Sequence, residues 1–266
     1  MLVVAALELE LAGIRRTMKT ANVFRMGEAL CETGWIGEQA CLLVQCGMGR
    51  QRAEQTLRLV LEQHQPSAIL SLGFCGALAA RLRPGDLVVC SPLRALHTME
   101  PLVHAVPVDN FLRCDEALVR QALLVSIPQS RGLTCWVKHA QRVYPVVGEC
   151  LTLPSAASHR RTKAWLSEHF ASVVVDMESF WLGTQAQEAG VPYLAVRAVS
   201  DTHAETLPPL DGLVDDFGQA EWPVLPRYLA HHPLVAGQLV RFGLHARQAQ
   251  KSLTNFALQF LRHSGR

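Results

Sequence analysis

Residues 173–201, VVVDMESFWLGTQAQEAGVPYLAVRAVSD, contain the pattern from which the fold of this chain is predicted. The opening valines of this stretch predict a β-strand, residues 179–188 predict a helix, and residues 193–199 predict a second apolar strand. A strand, a helix and a second strand in this order are typical of a parallel pair in an open α/β sheet.

Two acidic residues stand where these predicted strands end. Glu178 follows the first strand and Asp201 follows the second. Because parallel strands end at the same edge, we expect both carboxylates at the edge where such sheets bind ligands. Each acid alone could also be a helix-turn or loop residue. Arg197, placed inside the second strand, favours a site because an unpaired buried charge would be costly.

The paired motif VVDMES and VRAVSD resembles the signature of the nucleoside phosphorylase and nucleosidase superfamily. The resemblance covers residues 1–201 for the methylthioadenosine/S-adenosylhomocysteine nucleosidases and the whole chain for the hopanoid-associated nucleoside phosphorylases. It implies a three-layer α-β-α fold around a central mixed, twisted sheet. It also implies cleavage of the N-glycosidic bond of an adenine-type nucleoside with a modified 5′ position, in the second group within hopanoid biosynthesis.

The same resemblance implies roles for individual residues. Asp201 would protonate the purine, positioned by Ser200 and Arg197, while Glu178 and Met177 would contact the ribose. Glu10 matches the last glutamate of a family segment that activates water. Gly73 and Phe74 fall in a glycine-rich segment near the nucleophile, and Leu151 falls where the purine is held.

The nucleophile stays open between water and phosphate. Glu10 favours water, and so does Phe74, which stands where relatives carry a serine that contacts the nucleophile. A glycine turn before a helix offers free amides to an anion, so Gly47, Gly49 and Arg50 form a candidate phosphate site.

An alternative from another class is a non-catalytic module that binds a purine nucleoside or nucleotide. The turn lacks the third glycine of a dinucleotide-binding motif.

The amino-acid composition excludes several other classes of protein. With 266 residues, 49% of them hydrophobic and 18% charged, the chain can bury a globular α/β core. A net charge of +2 is too small to indicate nucleic-acid binding. No metal-ligand spacing and no CxxC pair occur, so we expect no metal, no cofactor other than phosphate as a co-substrate, and reduced cysteines in a cytoplasmic protein.

The tail differs from the rest of the chain. Residues 222–266 contain no acid, so we predict a domain over residues 1–221 and a C-terminal helical extension packed on or beside it. One helical face of that extension is apolar, formed by Leu253, Phe256, Ala257, Phe260 and Leu261. The alternative is a basic amphipathic helix with weak affinity for a membrane surface. By the family resemblance we also expect a homodimer or larger homo-oligomer.

Several further elements are predicted from local pattern. The predicted elements are helices at 12–20, 116–126 (capped by Asp115) and 155–170, strands at 87–90 and 133–137, and an irregular segment at 92–114. The basic run from His159 to Lys163 in the third helix is predicted to be a solvated face.

Overall fold

The structure is a computed structural model that describes residues 1–99, 106–107, 111–128, 142–208, 215, 217 and 233–264. Its strands are β1 (Leu2–Ala5), β2 (Lys19–Met26), β3 (Ala29–Ile36), β4 (Gln39–Gln45), β5 (Ile69–Ala77), β6 (Leu87–Thr98), β7 (Val106–Pro107), β8 (Ile127–Pro128), β9 (Arg142–Val143), β10 (Val146–Thr152), β11 (Val174–Asp176) and β12 (Tyr193–Asp201). Its helices are α1 (Glu8–Arg15), α2 (Arg50–Gln63), α3 (Glu116–Leu123), α4 (Arg160–His169), α5 (Ser179–Glu188) and α6 (Pro233–Ser264).

One mixed sheet organises the molecule. Its strands lie in the order β11-β10-β6-β12-β5-β1-β4-β3-β2, with β7 paired to β6. The neighbours β12, β5, β1 and β4 are parallel, and all nine residues of β12 are buried. Such continuously apolar strands are typical of sheets covered on both faces. The predicted α/β fold with a central mixed sheet is confirmed.

The sheet closes on itself at the end that carries the site. β11 pairs in parallel with β10 and also in antiparallel with β5, where Val174 lies opposite Ala77. β12 pairs with β5 as well, and Asp201 lies opposite Gly76. This ring of β11, β10, β6, β12 and β5 brings the ends of β11 and β12 to the same stretch of β5.

The helices pack in two groups. α1 packs on α6, and both contact the sheet, while α2 packs on α5, which contacts β12 and β6. A side chain at Gly13 in α1 would collide with Thr254 of α6, since its Cβ would lie 2.0 Å from the Thr254 hydroxyl oxygen. Glycine at this position therefore permits the close approach of the two helices.

The predicted apolar face of the C-terminal helix is confirmed. Leu253, Phe256, Ala257, Phe260 and Leu261 are fully buried and belong to the same core as β1, β5 and β12. Truncating one of these phenylalanines to alanine would cost about 3–5 kcal/mol of unfolding free energy. Within the described part of the chain, no helix is both long and apolar enough to cross a membrane.

Three predicted boundaries were wrong, and one strand was missed. The first helix begins at Glu8 rather than residue 12, because the Glu10 carboxylate accepts a hydrogen bond from the Leu7 amide and closes the first turn. The strand β2 was missed, since as an edge strand it is largely exposed. β6 continues to Thr98 through the segment predicted to be irregular. The third predicted helix begins at Arg160 rather than residue 155.

Two other local predictions have clear outcomes. Asp115 caps α3 as predicted, with its Oδ1 atom accepting hydrogen bonds from the amides of Ala117 and Leu118. The strand predicted at 133–137 lies outside the described residues.

Candidate active site

A cavity of about 180 Å³ opens where β1, β5, β11 and β12 end. Carboxylate side chains border it, most of the other lining is apolar, and none of the described lining residues is Lys or Arg. The carboxylates belong to Glu10, Asp176, Glu178 and Asp201, and the apolar side chains include Leu7, Met48, Phe74, Leu153, Val175, Met177 and Phe242. Such a lining suits a neutral, partly apolar ligand that presents hydroxyl groups and basic nitrogens.

Asp201 is held at both carboxylate oxygens. The Ser200 hydroxyl donates to Oδ1 at 2.7 Å, so the predicted contact between these two residues is present. On the other oxygen, Oδ2, Asp201 pairs with the ammonium group of Lys163. Asp201 is only 4% exposed. Its carboxylate is therefore fixed in orientation while it still borders the cavity.

Arg197 does not hold Asp201, contrary to the prediction. Its Nε donates to Asp176 Oδ2 at 2.7 Å, and its Nη2 donates to the Ser71 hydroxyl at 3.1 Å. Since all of these groups are buried, the guanidinium pairs with the carboxylate at the end of the neighbouring β11. Ser71 thus serves as a second buried partner for Arg197.

Asp176 was missed by sequence reasoning. Besides Arg197, it accepts hydrogen bonds from the Thr152 hydroxyl at 2.7 Å and the Ser179 amide at 3.0 Å. These contacts fix the turn from β11 into α5, which carries Glu178. Arg197, placed inside an apolar predicted strand, could have indicated Asp176, because a buried cation requires a buried acidic partner.

Glu10 is a buried carboxyl with two backbone donors. The Phe74 amide donates to its Oε1 at 2.7 Å, and the Leu7 amide donates to its Oε2 at 2.8 Å. Burial raises the pKa of Glu10 to about 7, although these amides and the nearby Arg197 guanidinium act in the opposite direction. A carboxyl that titrates near neutral pH is well suited to accept a proton from water.

Glu178 is also a carboxyl with a raised pKa. The Gly49 amide donates to its Oε1 at 2.8 Å. Burial, and then the negative charge of Asp176, raise the pKa of Glu178 to about 8. Gly49 has a φ of 90°, a conformation that L side chains rarely adopt, so glycine here lets the amide point at Glu178.

The three residues predicted to hold phosphate do not form an anion site. The Gly49 amide is already engaged by the Glu178 carboxylate. Arg50 lies over the Trp181 ring at 3.9 Å and pairs with Glu54, outside the cavity. Gly47 faces Arg52 and Phe217, which its absent Cβ would meet at 2.6 and 3.1 Å.

The remaining predicted contacts divide into two groups. Phe74 and Met177 line the cavity as predicted. Leu151 is fully buried and does not line the cavity, whereas Leu153, which follows β10, does. Gly73 lies behind the site, where its missing side chain leaves room for Arg197 and Glu10 at 3.1 and 3.2 Å.

Lys163 was predicted to lie on a solvated face, and this was wrong. Its side chain is fully buried, while Arg160 and Arg161 in the same basic run are exposed. In α4, Lys163 and Leu166 are three residues apart and share the buried face. A single lysine directed inward from a basic run leaves no signature in the local sequence.

The sequence model of the phosphorylase superfamily matches residues 1–221. The chain belongs to the phosphorylase superfamily. Two curated relatives are 5′-methylthioadenosine/S-adenosylhomocysteine nucleosidases. That of Aeromonas salmonicida is 23% identical over 220 residues, covering 82% of this chain and 93% of the relative. That of Bacillus pumilus is 24% identical over 200 residues, covering 75% and 84%.

Solved structures of the superfamily share the fold. A nucleosidase of the same kind from Neisseria meningitidis, in complex with methylthio-immucillin-A, matches with a TM-score of 0.72 at 15% identity over 98% of both chains. Futalosine hydrolase of Helicobacter pylori matches with a TM-score of 0.71 at 14% identity, over 99% of this chain and 97% of that one. At such identities these matches establish the fold.

Four carboxyl groups border the cavity of this superfamily member. Two buried cations lie behind them, Lys163 paired with Asp201 and Arg197 paired with Asp176. Within the described ranges, no group of three or more His, Cys, Asp or Glu side chains could hold a metal ion.

The raised pKa values predict a pH dependence. Glu10 and Glu178 titrate near 7 and 8, so the ionised forms that accept protons or hydrogen bonds increase with pH. Because both groups must be ionised, we expect kcat/KM to rise by about 1,000-fold between pH 6 and pH 9. In Glu178→Gln the rise should be confined to the region near pH 7. A profile that is flat between pH 6 and 9 in both proteins would contradict the assignment of the two carboxyls.

The same two groups affect stability in a defined direction. Their folded-state pKa values lie above the ordinary value of 4.5, so the folded chain holds protons that the unfolded chain releases. Their contribution to the free energy of unfolding is fully present below about pH 4.5 and is lost as pH rises through about 7 and 8.

Proposed function

We propose that this chain is an enzyme that cleaves the C1′–N9 bond of an adenine-type nucleoside with water as the nucleophile. The observation that carries the proposal is that Glu10, Glu178 and Asp201 border one small cavity whose other surface is mostly apolar. The alternative from another class is a superfamily member that binds a purine nucleoside without cleaving it.

Asp201 is proposed to deliver a proton to the purine base as it leaves. As the C1′–N9 bond breaks, its electron pair moves into the purine, and a proton at N7 stabilises the departing base. Asp201 borders the cavity with its carboxylate fixed by Ser200 and Lys163. A fixed group of this kind meets the geometric requirement for proton transfer in the transition state.

Glu178 and Met177 are proposed to bind the ribose. The Glu178 carboxylate accepts one hydrogen bond from the Gly49 amide and keeps further lone pairs for sugar hydroxyls. Met177 adds a polarizable apolar contact beside it in the cavity lining. A buried carboxylate without its hydroxyl partner is costly, so the site should discriminate against sugars that lack one.

Water is favoured over phosphate by the charges around the cavity. A phosphate dianion needs several donors, preferably cationic, and the described lining offers carboxylates without Lys or Arg. The two buried cations are already paired, Lys163 with Asp201 and Arg197 with Asp176. A neutral water molecule needs only the Glu10 carboxylate as its base.

The apolar lining favours an apolar 5′ substituent. Leu7, Met48 and Phe74 are partly exposed beside Glu10 in the cavity. The curated relatives are named for 5′-methylthioadenosine and S-adenosylhomocysteine, whose 5′ substituents are thioethers. The whole-chain resemblance to the hopanoid-associated nucleoside phosphorylases, and with it a role in hopanoid biosynthesis, stays a prediction.

Glu178→Gln is expected to weaken cleavage of ribosides more than that of 2′-deoxyribosides. The amide that replaces the carboxylate accepts hydrogen bonds from the hydroxyls less strongly, and a substrate lacking one hydroxyl has less to lose. We expect kcat/KM for the riboside to fall by about 10-fold more than for the deoxyriboside. An equal fall in kcat/KM for the two substrates would contradict the proposal that Glu178 binds the ribose hydroxyls.

The test of the proposal is release of free adenine by the purified protein. Adenosine, 5′-methylthioadenosine and S-adenosylhomocysteine should be compared under identical conditions with chromatographic detection. We expect adenine from at least one 5′-thioether substrate at a higher kcat/KM than from adenosine. If the protein bound these nucleosides but released no adenine, the proposed enzymatic activity would be wrong, and the non-catalytic alternative would be correct.

A further inference from the structure

Lys163 is a buried cation outside the cavity lining, and its ammonium group is fully occupied. It pairs with Asp201 Oδ2 and donates to the carbonyl oxygens of Thr202 at 3.0 Å and Glu205 at 3.2 Å. These three acceptors use all of its N–H groups. The side chain is fully buried, so the lysine contacts the site only through Asp201.

The surroundings select Asp201 as the carboxylate partner. Glu205, whose backbone also accepts from Lys163, directs its carboxylate to the Thr202 amide, Arg241 and His245. On β5, a Cβ at Gly76 would lie 3.0 Å from Asp201 Oδ2 and 3.6 Å from Lys163 Cε. Glycine at this position leaves space for the ion pair directly beside the cavity.

The pair has a chemical consequence for the acid assigned to Asp201. An ammonium group in direct contact stabilises the ionised form of a carboxylate. The resting pair is therefore a carboxylate with an ammonium group, and its transferable proton lies on nitrogen. A protonated Asp201 acting alone is not the resting state that this geometry favours.

We propose that Lys163 is a positioning residue that supplies, through Asp201, the proton for the departing base. This inference rests on the proposed function. As C1′–N9 breaks, a Lys163 Nζ–H bond breaks, Asp201 receives that proton and gives its equivalent to N7, and the N9 electron pair enters the purine ring. Lys163 is left as a neutral amine that regains a proton through Asp201, which borders the cavity, before the next turnover. Water loses its own proton to Glu10, so each proton has a donor and an acceptor.

The test compares two leaving groups in two variants. Lys163→Met removes the ammonium at similar length, and Lys163→Gln keeps a donor for the carbonyls of Thr202 and Glu205. Adenine must be protonated to leave, whereas 4-nitrophenolate leaves from 4-nitrophenyl riboside without a proton. We expect kcat for adenine release to fall by about 100-fold or more, with little change in KM, and nitrophenolate release to change by less than about threefold. Lys251→Met, which removes an exposed lysine of α6, is the matched control and should behave as wild type.

The outcomes separate this inference from the proposed function. If the wild-type protein releases no adenine, the proposed function fails first. If it does, equal losses on both substrates in the folded variants would give Lys163 a structural role and overturn the inference. Wild-type adenine release in either variant, or failure of both variants to fold, would overturn it as well.

Discussion

Asp201→Asn is expected to lower the rate of adenine release by about 100-fold or more, because a positioned general acid contributes at least that much. The asparagine side chain keeps the shape of aspartate and accepts a hydrogen bond from Ser200, but it cannot pass a proton to N7. The measurement is kcat for 5′-methylthioadenosine, with the fold of the variant checked by circular dichroism.

The control for this substitution is Asp115→Asn. Asp115 caps α3, and asparagine is an equally good capping residue, so activity should remain at the wild-type level. The Asp201 variant loses the carboxylate partner of the buried Lys163, so its thermal midpoint should also fall. A folded Asp201→Asn protein with wild-type kcat would end the assignment of Asp201 to the leaving group.

Glu10→Gln is expected to reduce hydrolysis by about 100-fold to 10,000-fold, the range typical of a general base. Glutamine has no basic carboxylate and cannot take the proton of the attacking water. The substitution should also remove the rise in kcat/KM near pH 7 that Glu10 produces. The measurement is the pH profile of adenine release between pH 5 and pH 9.

Glu8→Gln is the matched control for Glu10. Both residues lie in the first turn of α1, but Glu8 is exposed whereas Glu10 is 3% exposed. The Glu8 variant should keep the wild-type rate and the wild-type pH profile. If Glu10→Gln kept both as well, the attacking water would have to be activated by another group.

The sequence predicted the carboxylates because their positions follow from local pattern. An acid directly after a buried strand lies at the ligand edge of a parallel sheet, and this places Glu178 and Asp201 without knowledge of distant contacts. The outcome for Glu10 is similar, although α1 begins earlier than predicted and carries Glu10 within its first turn.

The partners of these carboxylates could not be predicted, because they depend on strands and helices far apart in sequence. Arg197 contacts Asp176 and not Asp201, since β11 closes the sheet by pairing with β5. Lys163 reaches Asp201 because α4 directs one residue of a basic run inward. The phosphate site failed for the same reason, because the Gly49 amide is taken by Glu178, 129 residues away.

Product analysis in heavy-oxygen water distinguishes hydrolysis from phosphorolysis by this protein. The protein is incubated with 5′-methylthioadenosine, with and without inorganic phosphate, and the sugar product is examined by mass spectrometry. We expect free adenine and a free sugar that carries one heavy oxygen at C1′, formed at a rate that does not depend on phosphate. A sugar 1-phosphate without heavy oxygen at C1′, formed only when phosphate is present, would contradict it.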